Sequence, residues 1–105
     1  MTDTNATFAI HGITLNVTTH EAFVDDRLLL LTKTEFRLLY FLTTHAGDAH
    51  TRKQIIEAVQ GADYPVTDRS VDSQIVGLRK KLGDRGRLIE SIRGFGYRFR
   101  NENLE

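Results

Sequence analysis

The sequence predicts an α+β domain in which a small antiparallel sheet precedes three helices and a closing β-hairpin. Three observations predict it. Apolar residues recur at every second position between Phe8 and Leu31, take helical spacing between Phe36 and Leu82, and return to every second position from Leu88 to Phe99. Capping signatures stand at the first residue of each helical stretch. Glycines stand where the first and third helical stretches stop, at Gly47 and Gly83, and Gly94 marks a tight hairpin in the closing stretch.

Taken in order, the first segments are Phe8 with Ile10, Ile13 with Leu15 and Val17, then Phe23, then Leu28 with Leu30, punctuated by His11-Gly12 and Asp25-Asp26. This pattern specifies three or four antiparallel strands. Thr32 and Glu35 then form a capping box, each side chain satisfying a free backbone N–H, ahead of Phe36, Leu38, Leu39, Tyr40, Phe41 and Leu42. This helix is expected to be almost wholly buried and to end at His45-Ala46-Gly47, with Gly47 left-handed. A second box, Thr51 with Gln54, opens a shorter helix carrying Ile55, Ile56 and Val59. Gly61 to Pro65 form a loop, Thr67 or Asp68 caps a third helix running to about Leu82, and Gly83 stops it. Period two resumes after Gly86 with Leu88, Ile89, Ile92, Phe95, Tyr97 and Phe99, and Gly94 and Gly96 mark a tight hairpin. The second and third helices make a helix-turn-helix with a long connection, and the hairpin lies where a wing belongs. The expected fold is therefore a winged helix-turn-helix.

The 105 residues, 40% of them hydrophobic, suit one domain with one core. Residues 1–7 are polar and form a lead or linker, 8–100 the domain, and 101–105 a tail whose Leu104-Glu105 has the look of an expression remnant. There is no cysteine, so disulfides and thiolate metal sites are excluded, and the cytoplasm is the expected location. The longest apolar runs, Leu28 to Leu31 and Leu38 to Leu42, fall far short of the roughly 20 residues that span a bilayer.

Formal net charge is zero, which on its face argues against a polyanionic partner. The distribution argues for one. Residues 68–100 hold nine basic and four acidic residues, and the remainder five basic and ten acidic, so the molecule is dipolar with one candidate polyanion face.

The third helix has a definite orientation. At about 100° per residue, Val71, Ile75, Leu78 and Leu82 share one buried stripe. Arg69, Ser73, Val76, Gly77 and Lys80 fall opposite, with Gln74, Arg79 and Lys81 on the flanks. A helix in the major groove needs such a face, with long basic residues for phosphates and short or polar ones at base edges. Lys80 and Lys81 are also accounted for by the helix dipole, whereas an exposed Val76 beside a mid-helix Gly77 costs roughly 1 kcal/mol of helix propensity and asks for a close neighbour.

Arg93-Gly94-Phe95-Gly96-Tyr97-Arg98-Phe99 is the most specific string. As a dinucleotide loop it fails, because a strand and not a helix follows the glycines. As an RNA-recognition strand it matches through Tyr97 but has Arg98 and Arg100 where that motif wants aliphatic and aromatic residues. As a wing, it places Arg93 at the tip, suited to the negative potential of a minor groove, with Tyr97 and Phe99 anchoring the hairpin. A core hairpin with incidental arginines accounts for the aromatics but less well for Arg93.

Thr34-Glu35-Phe36-Arg37-Leu38-Leu39, Asp68-Arg69-Ser70-Val71-Asp72, Leu78-Arg79-Lys80-Lys81-Leu82-Gly83 and the Arg93 to Phe99 string, in this order and spacing, resemble the OmpR/PhoB family of response-regulator effector domains over about residues 8–100. The resemblance implies a four-stranded N-terminal sheet, three helices and a C-terminal hairpin wing. It implies a bacterial transcription factor on direct-repeat promoter sites, dimeric on DNA, monomeric as an isolated domain and without a cofactor. It also implies a receiver domain, absent from so short a chain, and a sensor histidine kinase acting on it. By position, Arg69 and Arg79 resemble phosphate contacts, Ser73, Val76 and Gly77 occupy base-facing positions, and Arg93 resembles a minor-groove arginine. Gly61, Ala62, Asp63, Tyr64, Pro65 and Val66 resemble the segment that touches RNA polymerase. Some members carry arginines where this chain has Val76 and Gly77, so Ser73 and Gln74 are left as the polar readers, Lys80 as a further cation, and Val76 as a partner for a thymine methyl.

Other functions find less in the sequence. His11, His20, His45 and His50 lack metal-ligand spacing and no nucleophile motif occurs, so neither a metal site nor an enzyme is expected. A winged helix that binds protein instead of DNA is the main alternative, and zero net charge is compatible with it.

Overall fold

The computed structural model describes residues 7–59 and 67–102. Strands β1 (Thr7–Ile10), β2 (Ile13–Asn16), β3 (Glu21–Val24) and β4 (Arg27–Leu29) form an antiparallel sheet in sequential order. β1 begins one residue inside the expected lead. The turns lie where the sequence puts them, with positive φ at His11, Gly12, Asp25 and Asp26. Register pairs Ile13 with Val24 and Leu15 with Ala22, so these four side chains leave one face together and all are buried.

That face packs on the helices. In α1 (Lys33–Thr44) the capping box is complete: the Thr32 N–H donates to Glu35 Oε1 at 3.0 Å, and the Glu35 N–H to Thr32 Oγ1 at 3.1 Å. Phe36, Leu38, Leu39 and Leu42 are buried, but Lys33 and Tyr40 face solvent, so α1 is amphipathic and not wholly buried as its composition suggests. In α2 (Arg52–Val59) the Thr51–Gln54 box is also formed, at 2.9 and 3.1 Å. α3 (Asp68–Leu82) is capped by Thr67, whose Oγ1 accepts the Ser70 N–H at 3.2 Å, and Gly83 ends it at φ +61°. Each cap fixes where a helix starts, and each is worth about 1 kcal/mol.

The C-terminal strands depart from expectation in two places. Gly83–Leu88 is a 3-10 turn, so alternation resumes at Ile89 rather than Leu88. β6 (Ile89–Ile92) and β7 (Gly96–Phe99) form the hairpin, and β7 also pairs with an unexpected strand, β5 (Ala49–Thr51), giving the order β5-β7-β6. Three residues between two helices carry no readable alternation, which is why β5 escapes the sequence. Its presence changes the meaning of Gly96. That residue lies in the strand and not in the turn, and a Cβ there would sit 2.0 Å from the His50 carbonyl oxygen. Only glycine lets the two backbones pair this closely.

One core joins the first sheet, the three helices and the hairpin, from Ile13 and Leu15 through Leu39, Ile55, Ile75 and Leu78 to Phe99. Among the described residues no helix is long and apolar enough to cross a membrane. The loop Gly61–Val66 lies outside the described residues.

Two measurements check this packing. Gly96→Ala is expected to lower unfolding stability by 2 kcal/mol or more, about the upper range of an overpacked site, in urea denaturation. His50 is 8% exposed, and its ring is held below the ordinary value of 6.5 by burial first and by the neighbouring His45 second, with Asp48 opposing. Folding therefore favours the neutral ring. Its contribution is complete above pH 6.5 and is lost as pH falls from there through the lowered native value, because the unfolded chain takes up the proton first. The urea midpoint should fall across that window, and less so in His50→Leu.

Candidate nucleic-acid interface

The surface that α3 presents is fixed by what holds its other sides. Val71, Ile75, Leu78 and Leu82 are at most 2% exposed and seat the helix on the core. On one flank, Lys81 Nζ donates to Glu35 Oε1 at 2.6 Å, and Glu35 is itself nearly buried at the start of α1. Gly77 lies on this flank, where a Cβ would meet Glu35 Oε2 at 3.1 Å. Gly77, expected at a base-facing position, is half-buried, and its close neighbour is the start of α1.

On the other flank, Asp72 accepts from Tyr97 Oη at 2.6 Å and from Arg52 Nε at 2.8 Å, joining α3, β7 and the first residue of α2. The Tyr97 hydroxyl first, and the Arg52 guanidinium second, hold the Asp72 carboxyl below the usual carboxylate range. Burial, reinforced by that carboxylate, pushes the Tyr97 phenol up, so it stays a donor. Arg79 lies beside this group. Its Nη2 donates to Ile89 O at 2.7 Å and Ser91 Oγ at 3.0 Å, and its Nε to Ile89 O at 3.1 Å. The residue predicted as a phosphate contact thus has a structural duty, tying α3 to the hairpin.

Beyond Asp68 at the helix start, what remains outward between these flanks is a row of exposed residues, Arg69, Ser73, Val76 and Lys80, at i, i+4, i+7 and i+11. Val76 is 53% exposed at its centre. Gln74 is half-buried toward the α1 flank. Arg93 is exposed in the hairpin turn, where the Phe95 N–H donates to Ile92 O at 2.9 Å and Gly94 takes φ +73°. The turn projects beyond the buried anchors Tyr97 and Phe99, as a wing requires.

The basic segment resolves into two groups. Arg85 is paired with Asp25, Arg98 and Arg100 with Glu90, and Lys81 with Glu35. Arg69, Lys80, Arg87 and Arg93 are exposed and have no hydrogen-bond or ionic partner among the described residues. Arg87 counts among the nine basic residues of 68–100 but is not marked as a contact by the sequence, because it sits in a turn outside any motif. The Arg52–Asp72–Tyr97 group was equally silent, its members being 20 and 25 residues apart. Of the aromatics in the Arg93–Phe99 string, Tyr97 and Phe99 are 7% and 0% exposed and cannot stack on bases, which leaves Phe95, in the turn, as its exposed ring.

A sheet, three helices and a wing, with a helix offering one uncovered row, define a winged helix-turn-helix DNA-binding domain. The family model described as "Transcriptional regulatory protein, C terminal" matches residues 25–99, and the chain belongs to this family, the OmpR/PhoB type of effector domain. It is 39% identical over 92 residues to the phosphate regulon transcriptional regulatory protein PhoB of Shigella flexneri, covering 86% of this chain and 40% of that protein. The chain thus spans about 40% of the length of this curated relative. Among solved structures, the DNA-binding domain of the response regulator AdeR, in complex with an intercistronic region, superposes with a TM-score of 0.79 at 30% identity, covering 90% of this chain and all of that one. The DNA-binding domain of CpxR from Escherichia coli gives 0.75 at 35% identity, covering 89% and 94%. The family regulates transcription and is not enzymatic.

The Asp72 group makes a direct prediction. Tyr97→Phe removes one hydrogen bond to a carboxylate and is expected to cost about 1 kcal/mol of stability. Hydrogen exchange at the β7 amides should quicken more than at those of β2, if the bond holds the wing to α3.

Proposed function

We propose that this chain binds duplex DNA with the outward row of α3 in the major groove and Arg93 in the minor groove, as the effector part of a two-component transcriptional regulator. The observation that carries the reading is the placement of the unpartnered cations. Arg69 and Lys80 frame the α3 row and Arg93 tips the wing, while most of the other basic residues near them are neutralised within the fold. The AdeR domain, similar over nine-tenths of this chain, was solved on DNA, which supports the same use of the same elements here.

In this assignment Arg69 and Lys80 hold phosphates and Arg79 adds a pinned guanidinium at the helix edge. Ser73 and Gln74 supply the polar contacts to base edges, and Val76 packs on a thymine methyl. Gly77 reads nothing, since it is turned toward Glu35. With no arginine on the central row to fork onto guanine, discrimination shifts to A·T steps and to groove shape, where Arg93 acts. Two copies on a direct repeat, a receiver domain and its sensor kinase, RNA polymerase contact through Gly61–Val66, and a cytoplasmic location complete the proposal.

A salt titration tests it. Four contacts predict a slope of log affinity against log salt of about −4 on duplex DNA. A slope near zero would contradict DNA binding and favour a protein partner. Arg93→Ala should cost about 1 to 3 kcal/mol of binding. Ser73→Ala and Val76→Ala should change the ranking of operator variants more than the affinity for random duplex, and unchanged rankings would remove base reading from α3.

A further inference from the structure

Arg87 belongs to neither the helix row nor the wing, and it is exposed in the 3-10 turn that links them. It makes no hydrogen bond, ion pair or ring contact with any described residue. It stands on an open cleft of about 670 Å³ between the end of α3 and the edge strand β6. The surroundings are already satisfied. Arg79 is fixed on Ile89 O and Ser91 Oγ, and the one acid in the cleft, Glu90, is held by Arg98 at 2.6 Å. Gly83, where a Cβ would meet nothing within 4 Å, lines the same cleft and leaves that side open to close approach, while Gly86 is packed against the Arg79 backbone.

We propose that Arg87 is a further DNA contact, holding one backbone phosphate in the cleft between the end of α3 and β6. The inference rests on the proposed placement of α3 in a major groove and Arg93 in the adjacent minor groove. Neighbouring grooves of a duplex are separated by one sugar-phosphate strand, so whatever lies between a major-groove helix and a minor-groove wing faces that strand. Arg87 is the uncommitted cation at this position, and its length and fork suit a phosphate. The role is one of affinity and register, without base preference, because a turn beside the strand does not reach base edges.

The test uses the 105-residue chain and a mixed-sequence duplex of about 30 base pairs, titrated by fluorescence anisotropy from about 50 to 200 mM KCl. Arg87→Gln should weaken binding roughly 3- to 10-fold and make the salt slope shallower by about one, equally for different duplex sequences. Arg87→Lys should restore most of the slope. A neutral methylphosphonate at the contacted phosphate should weaken wild type and leave Arg87→Gln unaffected. A wild-type slope of about −4 that is unchanged in Arg87→Gln overturns this contact while leaving DNA binding intact. A wild-type slope near zero overturns both. Among the described residues Arg87 has no partner whose loss would unfold the chain, and Arg87→Glu provides a second variant with the same readout, expected to weaken binding further.

Discussion

The orientation of α3 is the constraint on which the rest depends. Its apolar stripe fixes the rotation of the helix on the core, and ties on both flanks lock it there. Glu35 holds Lys81 from α1, while Asp72 gathers Tyr97 from the wing and Arg52 from α2. Arg79 adds a third tie, to the backbone of β6. A helix gripped in this way offers the row Arg69, Ser73, Val76 and Lys80 as its outward face. The same contacts set the distance from that row to Arg93, so the two elements that meet DNA are positioned by one polar network on one hydrophobic seat.

Net charge conceals this arrangement. The chain is neutral overall, yet its cations divide into those used to hold the fold and those left for a partner. Arg85, Arg98, Arg100 and Lys81 brace the sheet, the hairpin and the helix against nearby carboxylates. Exposed pairs of this kind contribute little stability each, about 0 to 1 kcal/mol, but they remove charge from the outer surface in an ordered way. Within residues 68–100, the cations left over lie along α3, the following turn and the wing, where a duplex has its major groove, its backbone and its minor groove in succession.

Much of this was legible in the sequence, because it depends on local rules. Capping boxes at Thr32 and Thr51, the glycine after α3 and the stripe Val71, Ile75, Leu78, Leu82 each report a neighbour three or four residues away. The exposed row followed from the stripe by geometry alone. What was not legible depends on distant pairs. Helical angle alone cannot show that α1 crosses the flank of Gly77 with Glu35. Gly96 looked like a turn glycine because β5 is three residues long and its pairing with β7 spans nearly half the chain. Arg79 looked like a free cation for the same reason, its acceptors lying 10 and 12 residues on, in a strand whose edge the sequence does not reveal.

The most direct test of the central claim is a map of amide chemical-shift changes in the 105-residue chain as duplex DNA is added at low salt. The account predicts that the changes concentrate at Arg69, Ser73, Val76, Lys80 and Arg87 and in the turn Arg93–Phe95, with β1 to β4 unmoved. Changes centred on the four-stranded sheet, or spread evenly with none along α3, would contradict it.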